Sequence, residues 1–399
     1  MEHKAEPTRH ADAVKQSHRA ALSITLCCPA YIPAVDYGGP IATVAALAAH
    51  LGGAGHELAI WTADFGMNRS RVPRGVRSVA GTQVRYFRRI AAYRWSPLVP
   101  GAYRAAAHNN VKIGHLFGFR DGLTVPAGSG YTRARIPYVV EPMGMFEPRI
   151  RSIAIKRLFD ALIGSRYIRR AAGIIATSDL EAGEIRAALP NCRVWVRPNP
   201  VEIPQDVQPN MAIRNELGVA DDELLVAYVG RVSTKKGLDT LATALGSVPR
   251  VHAVVVGPDA RDGGEAQLSA AVSRNRVSGR VHRLPALWGK NKDQLVAACD
   301  AFALPSRSEN FGNAVAEACA LGVPTIVTDA CGVASLVNEY DAGLVVRHDV
   351  DELAGALRTM RDDPILRRRL GENGPLLARS LSPETIGAQQ EAIYREVLG

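Results

Sequence analysis

Two doubly wound α/β domains, each a parallel sheet covered by helices on both faces, are predicted by three observations. Apolar runs of strand length recur through the 399 residues with helix-sized gaps between them. The runs form two series, divided by a proline-rich stretch. Several runs end in loops that carry glycine and cations, the usual surroundings of a ligand at the carboxyl ends of parallel strands.

The first series comprises residues 23–28, 58–62, 83–87, 111–116, 138–141, 173–177 and 193–197. The second comprises 224–230, 252–257, 281–284, 301–304, 324–328 and 343–346. Strands that alternate with helices imply Rossmann-like units, one per series. The connection falls in residues 198–209, where Pro198, Pro200, Pro204 and Pro209 favour an extended, semi-rigid chain. Expected boundaries are a frayed N-terminus at 1–20, a first domain at 21–203, a second at 204–382, and a helix at 383–399.

Composition narrows the function classes. The chain is 47% hydrophobic and 22% charged, ordinary for a globular protein with two cores. The first twenty residues are polar, and no apolar run approaches a membrane span, so a cytoplasmic location is expected. Six cysteines (Cys27, Cys28, Cys192, Cys299, Cys319 and Cys331) follow no ligand spacing and read as buried, reduced thiols. A net charge of +9 favours acidic partners: a phosphorylated substrate, an anionic membrane surface or nucleic acid.

The richest segment lies between Leu304 and Asp329. Glu309 and Glu317 have seven residues between them, with Phe311-Gly312-Asn313 inside the interval. A strand ends before Glu309, which places it in the ligand crevice. A helix starting near Gly312 and Asn313 would offer free N–H groups to an anion, and Glu317 would lie further along it, up to ~12 Å from Glu309 if the whole span were helical. That layout suits a ligand with a central diphosphate and hydroxyls at both ends. In the same domain, strand 224–230 runs into Arg231 and Lys236; a guanidinium and an ammonium at a strand end stabilise developing phosphate charge. Lys235 reads as solvated. In the first domain, Gly38-Gly39 sits between strand and helix, where the backbone can approach a phosphate closely.

These motifs resemble glycosyltransferase family 4, the retaining nucleotide-sugar transferases of the GT-B fold, glycosyl transferases group 1. The resemblance covers most of the chain. It implies that Glu309 contacts a donor sugar and Glu317 holds the ribose hydroxyls. It also implies that Arg231 and Lys236, in a G-R-x-x-x-x-K-G pattern, neutralise the diphosphate, and that Gly38 and Gly39 reach the donor from the first domain. Phe311, Gly312 and Asn313 complete the donor set. The C-terminal helix is expected to cross back to the first domain. Two departures stand out: Pro200 where the family carries Gly, and Met143 where many members carry His. His115, at the end of strand 111–116, becomes the candidate first-domain histidine, and His56 reads as structural.

The Asp349-Val350-Asp351 pair precedes a helix and reads as a cap, so no metal and no cofactor beyond the nucleotide-sugar donor are expected. Basic segments at 149–170 and 85–104 could lie on an anionic membrane and present a glycan or lipid-linked acceptor, with the enzyme peripheral on its inner face. The rivals are another GT-B enzyme, such as a nucleotide-sugar epimerase, and a non-catalytic polyanion binder. Aromatics at 6% argue against the binder, and no nucleic-acid partner is expected.

Overall fold

The computed structural model describes residues 20–34, 39–64, 75–93, 96–146, 159 and 164–399. It contains two parallel α/β domains, as the periodicity predicts. The first is built on an eight-stranded sheet: β1 (Ser23–Cys27), β2 (Glu57–Ala63), β3 (Gly75–Val79), β4 (Thr82–Phe87), β7 (Ile113–Phe117), β8 (Tyr138–Glu141), β9 (Gly173–Ala176) and β10 (Val194–Val196). Their order is β10-β9-β8-β7-β1-β2-β4-β3, parallel except for the β3–β4 hairpin at one edge. A small hairpin, β5 (Ala91–Tyr93) and β6 (Ser96–Leu98), stands apart. The described helices of this half are α1 (Gly39–Gly53), α2 (Gly101–Ala107), α3 (Thr124–Ala134), α4 (Ser165–Arg169) and α5 (Asp179–Ala188).

The second sheet has six parallel strands: β11 (Leu224–Val229), β12 (Val251–Val256), β13 (Val281–Leu284), β14 (Ala301–Leu304), β15 (Thr325–Thr328) and β16 (Gly343–Val346), in the order β13-β12-β11-β14-β15-β16. Its helices are α6 (Ala212–Glu216), α7 (Leu238–Gly246), α8 (Gly264–Arg274), α9 (Gly289–Ala297), α10 (Asn313–Ala320), α11 (Ala334–Glu339), α12 (Val350–Asp362) and α13 (Pro364–Ser380). Helix α14 (Pro383–Leu398) ends the chain. The central strands are buried on both faces: β12 is Val-His-Ala-Val-Val-Val with all six residues buried. Strands of this kind must be sandwiched by helices.

Helix α14 packs on the first domain. Gly387 lets it press against His50 of α1, because a side chain there would overlap the imidazole. Glu391 lies 3.6 Å from His56, whose Nδ1 accepts from the Leu22 amide at 3.1 Å. Tyr394 enters the first domain's core, and Glu396 accepts from the Trp195 indole at 2.9 Å. The chain order therefore ties the end of the second half to the first.

Topology positions the site. Strand order reverses between β11 and β14 in the second sheet and between β1 and β7 in the first. Crevices at such reversals are where open α/β sheets bind ligands. Loops after β8 and β9 meet the loop after β14, so the carboxyl ends of the two sheets face each other.

Candidate active site

The loop after β11 is shaped by what surrounds it. Asp262 accepts from the Thr234 amide and hydroxyl and from the Gly264 amide, fastening residues 230–237 to the start of α8. Arg307 makes a two-pronged pair with Asp239 at 2.9 and 2.6 Å and donates to the Thr234 carbonyl at 2.7 Å. Gly237 has φ +64°, and a Cβ there would overlap the Pro305 carbonyl oxygen. Only glycine allows both the left-handed turn and that approach. The consequence is a close join between the loops after β11 and β14.

That join brings Lys236 onto Glu309. The Lys236 ammonium donates to Glu309 Oε2, and each side chain is 15% exposed. The peptide of Glu309 is held as well: its amide donates to the Ala330 carbonyl at 3.0 Å, and its carbonyl accepts from Gly332 at 3.1 Å. Burial alone would raise the Glu309 pKa; Lys236, Lys235 and Arg231 together hold it below the ordinary carboxylate value. Lys235 is half-buried and belongs to this cluster, which corrects the expectation of a solvated side chain. Burial first, then its neighbours Lys236 and Arg231, lower its pKa against the pull of Glu309.

Phe311 is buried and anchors the turn into α10. Gly312 caps that helix with φ +107°, and a Cβ there would press on Val333 and Leu304. The Val315 amide donates to the Gly312 carbonyl at 2.9 Å, and the amides that open a helix ahead of such a bond attract anions. Asn313 is held from two sides: its Oδ1 accepts from Asn199 Nδ2 at 2.9 Å, and its Nδ2 lies where a side chain on Gly39 would intrude. Gly39 opens α1, so the starts of α1 and α10 meet. Gly38 lies outside the described residues. Glu317, further along α10, is 38% exposed and accepts from Lys292 of α9 at 2.6 Å.

The structure therefore brings Arg231, Lys235, Lys236, Glu309, Gly312, Asn313 and Gly39 to one crevice. His115 is set apart. It is fully buried inside the first domain, with Nδ1 2.7 Å from the Tyr394 hydroxyl and Nε2 3.2 Å from Glu141. Glu141 in turn pairs with Arg197, also fully buried. Burial, aided by Arg197 and opposed by Glu141, lowers the His115 pKa. This interior place differs from the cleft-lining one expected of it. Asp349 behaves as read: its carboxylate accepts from the Asp351 and Glu352 amides and caps α12.

Three further residues escaped sequence reasoning. Asn310 donates to Thr177 Oγ1 at 2.8 Å and accepts on its carbonyl from Ser178 at 3.2 Å, which binds the Glu309 loop to the first domain. Glu181, buried, accepts from the Thr177 and Gly144 amides at 2.9 and 2.7 Å. Its Ser178-x-x-Glu181 spacing is a capping-box signal that was there to be read. Lys292 has no local signature.

With this geometry in view, known proteins provide the comparison. The family described as "Glycosyl transferases group 1" matches residues 210–376, and "Glycosyl transferase 4-like domain" matches residues 38–200. The chain belongs to the group 1 glycosyltransferases of the GT-B fold. A D-inositol 3-phosphate glycosyltransferase of Jonesia denitrificans is 28% identical over 282 residues, 66% of this chain and 64% of that protein. The chain thus spans less than two thirds of that relative's length. Among solved structures, sucrose-phosphate synthase from Thermosynechococcus elongatus superposes with a TM-score of 0.76 at 21% identity, covering 94% of this chain and 99% of that one. Anabaena HepE in complex with UDP-glucose gives 0.72 at 21% identity, covering 94% and 100%.

Proposed function

We propose that this glycosyltransferase takes a sugar from a nucleoside diphosphate and transfers it with retention of anomeric configuration and without a metal ion. The observation that carries the reading is the joining of Lys236 to Glu309 at the strand-order reversal, with Arg231 and Lys235 beside them. Three cations and a helix N-terminus suit a diphosphate leaving group, whose charge grows as the glycosidic bond breaks. They take the place a divalent ion fills in other transferases. Glu309 orients the sugar, Glu317 grips the ribose, and the start of α1 at Gly39 closes on the donor from the first domain. Buried His115 has a structural part in this account. The UDP-glucose complex of Anabaena HepE supports a nucleotide-sugar donor.

The first domain, residues 21–203, takes the acceptor; residues 204–382 take the donor; the helix at 383–399 ties them. A lipid-linked or polysaccharide glycan is the favoured acceptor, presented at a membrane's inner face. Exposed Ile90 and Leu98 on the β5–β6 hairpin, next to exposed Arg88, support that docking. Much of basic segment 149–170 lies outside the described residues; Arg166, Arg169 and Arg170 within it are exposed. No described helix is long and apolar enough to cross a membrane.

The test is thermal shift against UDP, GDP, ADP and dTDP and their glucose conjugates, with and without EDTA, on wild type and Glu317→Ala. Stabilisation by one nucleotide, kept in EDTA and lost in the variant, supports the reading. No stabilisation by any of them overturns it.

A further inference from the structure

Lys292 stands on α9, a helix that the donor motifs do not include, yet its ammonium is the partner of Glu317. Nζ lies 2.6 Å from Glu317 Oε2 and 3.3 Å from Asp293 Oδ1. Lys292 and Asp293 are 21% and 16% exposed, whereas Glu317 is 38% exposed. The acid therefore has one oxygen engaged by a half-buried cation while much of the group still faces solvent. A long Glu side chain on a helix surface samples several rotamers, and ordering it costs free energy whenever a ligand binds. A charge-assisted bond from a half-buried ammonium removes that freedom beforehand. Lys292 also balances two acids. Without it, Asp293 and Glu317 would share one neighbourhood with no cation between them, an arrangement that repels. Its own pKa is raised: burial alone would lower it, and Glu317 and Asp293 more than offset this.

We propose that Lys292 is a positioning and specificity-determining residue of the donor site, holding Glu317 Oε2 so that the rest of the carboxylate accepts from the vicinal hydroxyls of a ribose. This rests on the reading of Glu317 as the ribose ligand. A carboxylate fixed in this way suits two adjacent hydroxyls and loses part of its acceptor geometry when one is missing. The pair therefore discriminates ribonucleoside from 2′-deoxyribonucleoside diphosphates. An ordinary surface ion pair would not influence that choice.

The experiment is calorimetric titration of the full chain with UDP, GDP and ADP and with their 2′-deoxy counterparts. Wild type is compared with Lys292→Met, Lys292→Arg, Glu317→Gln and the Lys292→Met/Glu317→Gln double variant, each checked for folding by its melting transition. Lys292→Met is expected to weaken the preferred ribonucleotide about tenfold and to bring the ribo-to-deoxy ratio close to one. Lys292→Arg should restore most of that ratio. In the Glu317→Gln background, Lys292→Met should add nothing, because its effect passes through the carboxylate. An unchanged ratio in folded Lys292→Met, or losses that simply add in the double variant, overturns the role of Lys292. Tight ribonucleotide binding that is untouched by Glu317→Gln overturns the ribose reading instead, as does a lack of binding by all six nucleotides to wild type.

Discussion

Asn310 Nδ2 donates to Thr177 Oγ1 at 2.8 Å, so the residue that follows Glu309 in the chain is tied to the opposite domain. The Asn310 carbonyl also accepts from Ser178, and Gly144 lies so close to Asn310 that a side chain on the glycine would collide with it. Loss of the amide should loosen the closed arrangement without touching the donor's own contacts. A neutral hydrogen bond contributes about 1 kcal/mol. Asn310→Ala is therefore expected to lower kcat roughly five- to tenfold with little change in donor KM. Faster amide exchange in residues 142–146 should accompany it. A changed KM with unchanged exchange would contradict the clasp.

Lys236→Met removes the cation that Glu309 touches. A single preorganised charge at a developing anion is worth about a hundredfold or more in kcat, and a loss of that size is expected. The pH profile provides an independent check. In wild type the Glu309 pKa is depressed, so its stabilising contribution is full above the ordinary carboxylate value and fades as pH falls through the depressed one. Without Lys236, burial counts for more and the acid limb of activity moves to higher pH. An acid limb that stays in place would show that Lys236 does not govern this carboxylate.

Gly237→Ala tests the join itself. The left-handed φ and the overlap with the Pro305 carbonyl both oppose a side chain. Backbone strain of this kind costs about 1–3 kcal/mol, so the melting temperature should fall by several degrees. Nucleotide binding should weaken as well, since Lys236 is the preceding residue. A variant that melts and binds like wild type would mean that the close approach is not needed.

Two buried histidines and one half-buried histidine make the fold acid-sensitive. His115, His252 and His282 all have pKa values below the ordinary value of about 6.5, with burial as the chief cause. His252 and His282 stack, with Nδ1 of one 3.0 Å from Nε2 of the other, and His252 adds to the depression at His282. A depressed histidine pKa means that the unfolded chain takes up protons before the folded one does. Stability is therefore full above about pH 6.5 and falls as pH drops from there toward the folded-state values. Melting curves recorded across this range should show the decline, and His282→Asn should make it shallower. A flat profile would contradict the lowered histidine pKa values.

Much of this was legible in the sequence because buried parallel strands are apolar along their whole length. All thirteen expected runs are strands, and helix α14 begins and ends where the pattern placed it. The strands missed are β3, β5 and β6. Strand β3 is an antiparallel edge strand whose first four residues are exposed, so it carries no apolar run. The place of His115 depended on a single residue. Strand β7 extends to Phe117, one residue beyond the expected end, which leaves His115 inside the sheet's packing and not at its rim. The Lys236–Glu309 and Asn310–Thr177 contacts join residues 73 and 133 apart, and only the folded topology makes them neighbours. Lys292 was illegible for the same reason: its partner lies on another helix.

The central claim is tested most directly by turnover. Wild type and Lys236→Met, in EDTA, are incubated with UDP-, GDP-, ADP- and dTDP-glucose, and released nucleoside diphosphate is followed by phosphorus NMR. The account predicts slow release from one donor by wild type, unaffected by EDTA and slower by about a hundredfold or more in the variant. Equal release by the two proteins, or release that ceases in EDTA, would contradict it.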